Sequence, residues 1–422
     1  MKEMFKTFEN GLRVIMDPMP HMNSLSIGVW VGIGGRHESE DISGISHFIE
    51  HMLFKGTTSR TSLEITQAIE GVGGSMNAFT SDEITCYYIK VPSSHMVLAV
   101  EILADMINRP LFKASDIDRE RSIILEEYNM VMDNPSNCSE ELLKSIMWPS
   151  HPLGRILTGK PETIESISKE QLLDYKSKGY IPNNIVLSIA GKFDPETFIK
   201  EAEIQFGSLK EGEKPESVSA RNINRHNNVE LLFRETEQLR IDLGLEAVSR
   251  GSDDRYPLKV FNVILGENMS SRLFQVVREE MGLAYEIHSN LDYYADTGLL
   301  NVSGGIELKR YTQAIEVVWG QILKLATEPV SKKELERSRE YCLGQLFLAM
   351  ESTSSRMIFN GENLLALNKV FSAEKIVEKI RAVTVEDVLQ IASKLVEKNS
   401  PCLALVGPVK DGQAEIIKEV LN

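Results

Sequence analysis

His47 and His51 stand four residues apart, with Glu50 immediately before the second, in the run His47-Phe48-Ile49-Glu50-His51. On a helix, at about 100° per residue, both imidazoles fall on one face, one turn apart. Two imidazoles so placed can ligate one divalent cation, and a carboxylate beside the second can reach a water held by that cation. The chemistry this permits is metal-assisted hydrolysis. The order is the inverse of the H-E-x-x-H peptidase motif. Chance produces such a pattern in roughly 1% of chains with this His and Glu content. Ile45, Phe48, Ile49, Met52 and Leu53 fall on the opposite arc, so one face of the helix expected over about 43–54 suits a core and the other suits chemistry.

A catalytic zinc takes three protein ligands and keeps one position open. The third ligand must come from elsewhere, and Glu120, Glu126 and Glu127 are the candidates, on a helix expected over 116–132. The apolar stripe of that helix is Ile117, Ile124, Tyr128 and Val131. Glu120 and Glu127 border the stripe, two turns apart, while Glu126 points the other way, to solvent. The helical wheel therefore leaves both Glu120 and Glu127 open as the inward carboxylate. Surface ion pairs with Arg119 or Arg121 are the competing use of these glutamates.

The elements that must position these groups recur along the chain. A strand over 24–30 is followed by helices near 43–54 and 62–71, strands over 76–80 and 85–91, and long helices near 94–108 and 114–132. A second series has a strand over 238–247, helices near 254–265 and 271–281, strands near 284–292 and 297–304, and long helices near 308–326 and 331–350. Between the series lies a polar stretch with Gly212 and Pro215 and few apolar anchors, the signature of a linker. A repeat of roughly 210 residues is too long for a solenoid and reads as a duplicated domain. Paired strands and runs of helices predict an α+β fold of two homologous domains, each a mainly antiparallel sheet flanked by helices. The expected division is 1–208, a linker over 209–228, and 229–422. Aligned on apolar pattern, the second half sets Lys259, Asn262 and Val263 against His47, Glu50 and His51, and Gln345 against Glu127. It keeps the scaffold and lacks the metal groups.

At 422 residues the chain is long for one core, which agrees with two domains. A net charge of −15 excludes a general binder of nucleic acid or anionic membranes, both of which need clustered positive charge. The four cysteines, at 86, 138, 342 and 402, form no C-x-x-C pair, and reduced thiols in a cytoplasmic protein are expected. There is no signal-peptide core and no run of 18 uncharged apolar residues.

The run Gly44-Ile45-Ser46-His47-Phe48-Ile49-Glu50-His51-Met52-Leu53-Phe54-Lys55-Gly56-Thr57 resembles the signature of the pitrilysin/insulinase-type metallopeptidases, in particular the mitochondrial processing peptidase β-subunit and its bacterial relatives. So does Arg119-Glu120-Arg121-Ser122-Ile123-Ile124-Leu125-Glu126-Glu127. The resemblance covers essentially the whole chain. It implies one Zn2+ per chain on His47, His51 and Glu127, with Glu120 as a supporting glutamate and Glu50 as general base. In the run from Met269 to Tyr285, Arg278 and Tyr285 match a pair that reaches the substrate; without the resemblance they would read as a surface charge and a core aromatic. Asn77, Ala78, Phe79 and Thr80 match the strand to which family substrates add. One departure is Gly266-Glu267-Asn268, where related sequences often have a more glycine-rich turn.

The resemblance thus implies a zinc endopeptidase acting on unfolded or short peptides. Residues 1–208 would be catalytic and residues 229–422 would complete a substrate chamber. Because the family chamber needs four such domains, it implies a dimer, either a homodimer or a heterodimer with a zinc-free homologue. An assembly subunit descended from a peptidase is the alternative from another class.

Overall fold

Ser24–Val31 sets Leu25, Ile27, Val29, Trp30 and Val31 among small residues, and this strand is buried on both faces. Such a strand must lie between two layers. In the computed structural model, which describes residues 3–221, 223, 228–398, 400–409 and 412–421, it is the centre of a six-stranded sheet. The strands in chain order are β1 (Met4–Thr7), β2 (Arg13–Pro18), β3 (Ser24–Val31), β4 (Ser75–Thr80), β5 (Thr85–Pro92) and β6 (Ile185–Gly191). Their spatial order is β1-β2-β6-β3-β5-β4, antiparallel except for the β2/β6 pair.

A second sheet comprises β7 (Val229–Phe233), β8 (Leu239–Ala247), β9 (Ala284–Tyr293), β10 (Gly298–Ile306) and β11 (Cys402–Gly407). Its order is β7-β11-β8-β10-β9, with β7/β11 as the parallel pair. Strand for strand this repeats β2-β6-β3-β5-β4. The duplication read from the sequence is therefore present in the topology, and the fold is two α+β domains of mainly antiparallel sheet.

The compact units are not contiguous halves of the chain. One comprises the described residues of Met1–Asn129, Ile156–Val218 and Phe347–Ser372; the other those of Met130–Arg155, Ser219–Leu346 and Ala373–Asn422. The division at 209–228 misses this exchange, although the passage between units at 218–219 falls within that stretch. Residues 222 and 224–227 of the expected linker lie outside the described residues.

The exchanged pieces are one helix from each half. In the first unit, the helices Ile45–Leu53, Ser62–Glu70 and Met96–Asn108 bury one face of the sheet, against Leu25, Ile27, Val29 and Val31. The other face carries Ile15, Trp30, Cys86 and Val186, and helix Thr353–Leu367 covers it with Met357 and Leu364. Arg356 Nη1 donates to both carboxylate oxygens of buried Asp17, at 3.0 and 2.9 Å. Gly361 lets this helix approach, since a Cβ there would lie 2.2 Å from Trp30 Nε1. In the second unit, helix Pro135–Met147 covers the corresponding face with Leu143, Ile146 and Met147, against Leu299, Cys402 and Ala404. Ser139 Oγ and Asn301 Nδ2, the latter at 2.7 Å, hydrogen-bond the buried Asp242 carboxylate. Burial nevertheless pushes the Asp242 carboxyl up to about 6.

The elements around the site fall close to where the sequence puts them. Helix Ile45–Leu53 is expected over 43–54, and helix Ala114–Asp133 over 116–132. In the second unit the helix expected over 254–265 ends at Asn262 and passes into a wider π turn over Val263–Glu267. The four cysteines are free and buried. No helix among the described residues is long and apolar enough to cross a membrane.

Candidate metal centre

Helix Ile45–Leu53 starts at Gly44, whose φ of +96° is one that residues with a side chain rarely adopt. Its first amides would be orphans. The buried Glu38 carboxylate accepts from Gly44 N at 2.7 Å and from Ser46 N at 2.8 Å. A carboxylate at this end also suits the helix dipole. Ile45, Phe48, Ile49, Met52 and Leu53 are fully buried. At roughly 1.5–3 kcal/mol for each large apolar side chain, this face fixes the rotation of the helix. His47, Glu50 and His51 are thereby held on the other face, half-buried.

Helix Ala114–Asp133 presents its carboxylates to that face. Ile117, Glu120 and Ile124 are buried, Glu127 is half-buried and Glu126 is exposed. Arg121 anchors this helix by donating to the carbonyls of Ile164 and Ile167, and its guanidinium lies 5.5 Å from the Phe48 ring centroid. It is therefore not the ion-pair partner of the glutamates that the surface reading requires.

The donors converge on one point. Glu127 Oε2 lies 3.5 Å from His47 Nε2 and 3.4 Å from His51 Nε2, and the two imidazole centroids are 4.6 Å apart. Among the described residues, His47, His51 and Glu127 are the only group of three His, Cys, Asp or Glu side chains close enough together to hold a metal ion. The fit to zinc can be tested on these distances. Ligands held at about 2.0–2.1 Å in a tetrahedron stand about 3.3 Å from one another. The two histidine–glutamate separations match that spacing, and two imidazoles with one carboxylate leave a fourth position open. The residues present fit the ion.

Around these three stand groups that orient them. His51 Nδ1 lies 3.1 Å from Glu120 Oε2, and Lys55 Nζ lies 2.7 Å from Glu120 Oε1. A carboxylate paired with lysine accepts rather than donates, so Nδ1 of His51 carries the proton and Nε2 keeps its lone pair for the centre. Burial, and after it the neighbouring His51, lowers His47 to about 3, which leaves its imidazole neutral and able to ligate near neutral pH. Burial raises the Glu50 carboxyl, and a hydrogen bond from Thr80 Oγ1 to Glu50 Oε2, at 2.5 Å, opposes that rise. The sequence reading placed Thr80 in the substrate strand and missed this contact. It also missed Lys55 as the partner of Glu120. Nothing in a linear motif links Thr80 to Glu50, thirty residues away.

Asn77, Ala78, Phe79 and Thr80 lie in β4, an edge strand with β5 as its neighbour in the sheet. The Asn77 side chain accepts from Ala78 N at 2.8 Å, so that amide is already engaged. Arg278 and Tyr285 belong to the second unit, whereas the donors belong to the first. Their side chains meet there, with the Arg278 guanidinium 5.6 Å from the Tyr285 ring centroid. Tyr285 is 73% exposed, so it is not the core aromatic that composition alone suggests.

The matching place in the second unit has no ligand set. Lys259 Nζ pairs with Glu267 at 2.5–2.6 Å, Asn262 Nδ2 donates to Glu267 at 2.8 Å, and Val263 is buried.

Comparison with known proteins finds two family matches, whose limits differ from those of the two compact units. Residues 13–161 match the family described as Insulinase (Peptidase family M16), and residues 166–341 match the Peptidase M16 inactive domain. A Bacillus subtilis protein named as an uncharacterized zinc protease is 38% identical over 402 residues, covering 95% of this chain and 97% of its own. A similarly named Streptomyces coelicolor protein is 33% identical, over 98% of this chain and 92% of its own. Among solved structures, a protease from Helicobacter pylori superimposes with a TM-score of 0.89 at 20% identity, over 96% of this chain and 99% of its own. A structure titled as a peptidase M16 inactive domain, from Pseudomonas fluorescens, gives 0.91 at 17%, over 97% and 98%. The two low-identity structures share the fold, while the identity and coverage of the sequence relatives show descent: the chain belongs to the insulinase-type peptidases of family M16.

Proposed function

We propose that this protein is a zinc-dependent endopeptidase that cleaves unfolded or short peptides in an enclosed chamber, working as a homodimer in the cytoplasm with one zinc ion per chain. The observation that carries the reading is the convergence of His47 Nε2, His51 Nε2 and Glu127 Oε2 at the spacing of ligands to one ion. When bound there, zinc supplies a Lewis acid that polarises a carbonyl and acidifies water.

The chain's own groups do the rest. Glu50 takes the proton of the attacking water and delivers it to the leaving amine nitrogen. Its half-buried setting favours the role, because a raised carboxyl pKa narrows the gap to the operating pH. Thr80 holds the Glu50 carboxylate in one orientation. Glu120 fixes the tautomer of His51. Tyr285, with Arg278, is assigned to stabilising the oxyanion, a role its exposed hydroxyl leaves it free to take. A peptide adding to the edge of β4 would be read through its backbone, which suits varied sequences. Such a peptide would have to turn the Asn77 side chain away from Ala78 N. The free thiols support placement in a reducing compartment.

The test is a cleavage assay on the purified chain with an unfolded peptide, with and without a chelator, after its mass in solution is measured. The expected result is a dimer whose activity disappears on chelation and returns with zinc. A zinc-loaded dimer without activity contradicts the reading, and activity gained only on adding a zinc-free homologue replaces the homodimer with a heterodimer.

A further inference from the structure

A groove of about 820 Å³ opens in the first unit, at the sheet edge opposite β4. Its lining shares no residue with the metal centre. Phe5 and Thr7 of β1, the last turn of helix Thr353–Leu367 and Val370 form its walls, and Arg13 and Lys214 also line it. Phe5 is 50% exposed and Val370 37% exposed, so these two side chains offer apolar surface to solvent within a lining that also includes Thr7, Asn183 and Asn368.

Among the described residues no acid pairs with the cationic groups. Arg13 is more than nine-tenths buried. Its Nη1 donates to the Leu364 carbonyl and to Asn368 Oδ1, both at 3.0 Å, and its Nε has no hydrogen-bond partner. These acceptors are neutral, whereas a buried guanidinium is ordinarily matched by a carboxylate. Lys214, on the surface, makes no ion pair among the described residues. Burial pulls its ammonium below the ordinary lysine range, and the Arg13 charge adds to that. Glu211 Oε1 packs against Gly11, which lines the groove, and among the described residues it pairs with neither cation.

Two unmatched cations beside an apolar wall, with one buried donor unused, have the complement of a carboxylate on an apolar body. We propose that this groove binds a small amphipathic carboxylate, its anion between Arg13 and Lys214 and its apolar part against Phe5 and Val370. Two sources present that chemistry: a free medium-chain fatty acid, and the C-terminal carboxylate of a peptide ending in an apolar residue.

The test is calorimetric titration of the intact chain with octanoate, with N-acetylleucine and with N-acetylleucine amide, repeated on Lys214→Glu and Phe5→Ser. Arg13→Met is a poor probe, because Arg13 also holds the helix end. Lys214 is exposed, and unchanged thermal melting will show that its variant folds. At least one acid is expected to bind once per chain, in the millimolar range or tighter. The amide should bind at least tenfold more weakly than N-acetylleucine wherever that acid binds. Lys214→Glu should weaken acid binding at least tenfold, and Phe5→Ser should weaken octanoate. Tighter binding of octanoate names a fatty acid as the source, and tighter binding of N-acetylleucine names a peptide end. Failure of both acids to bind overturns the proposal, as does an amide that binds like the acid. Unchanged binding to Lys214→Glu overturns it too, since that is the behaviour of a carboxylate held at the metal centre.

Discussion

Glu120 Oε2 stands 3.1 Å from His51 Nδ1, on the side of the ring away from the three converging donors. Glu127 Oε2 stands 3.4 Å from His51 Nε2, on the side toward them. One helix thus supplies both a converging donor and the group that orients a neighbouring donor, two turns apart. The two carboxylates should fail differently. Glu127→Ala removes a donor and should abolish stoichiometric zinc. Glu120→Gln leaves the donors in place and should weaken zinc about 10–100-fold. Metal analysis after dialysis against graded chelator separates the two. Equal zinc content in Glu127→Ala and the parent chain would instead make Glu120 the ligand.

Thr80 reaches Glu50, the proposed general base, from the edge strand. Its hydroxyl is 2.5 Å from Glu50 Oε2 and touches none of the three converging donors. Thr80→Val should lower kcat about tenfold or more while zinc content stays constant, because a hydrogen bond to a charged group contributes roughly 1.5–3 kcal/mol. Thr80→Ser, which keeps the hydroxyl, should recover most of that loss. Steady-state kinetics on zinc-quantified samples checks both. A change confined to KM would assign Thr80 to binding the substrate strand.

Asp242 gives the fold a pH dependence of its own. Its folded carboxyl sits near 6, above the ordinary 3.8, with burial as the main cause. The folded state therefore holds this proton more tightly than the unfolded chain. The resulting stabilisation is complete below about pH 4 and is lost as pH rises through about 6, and it amounts to roughly 3 kcal/mol. Asp242→Asn is isosteric and does not titrate. Its stability relative to the parent chain should rise by up to that amount between pH 4 and pH 7. Denaturant melts at the two pH values measure the difference, and a constant difference would show that Asp242 does not titrate in this range.

Much of the site could be read in the sequence, for physical reasons. His47, Glu50 and His51 lie within one helical turn of each other, so local geometry relates them. Glu127 and Glu126 are neighbours, yet the apolar stripe through Ile117 and Ile124 separates their directions. The long-range partners were not readable. Lys55 falls in the signature run and Thr80 in the expected substrate strand, but only the packing of helix against helix brings Lys55 to Glu120, and that of strand against helix brings Thr80 to Glu50. The exchange of helices Pro135–Met147 and Thr353–Leu367 between units was hidden for a similar reason. An amphipathic helix states that it has a face to bury but not which sheet will bury it. The exposure of Tyr285 is not legible in its residue type, since aromatic residues in strands are commonly buried; only the resemblance sets it in a substrate-reaching pair.

Zinc on His47, His51 and Glu127 is proposed to serve hydrolysis with Glu50 as the base. Glu50 is not among the three converging donors, so its loss should separate metal binding from chemistry. The direct measurement is the rate at which zinc-loaded Glu50→Gln cleaves an unfolded peptide, set beside the parent chain with metal content determined on both samples. Full zinc content is expected in the variant, with activity lowered by about 100-fold or more. A variant that holds zinc and cleaves at the parent rate would contradict this role for Glu50.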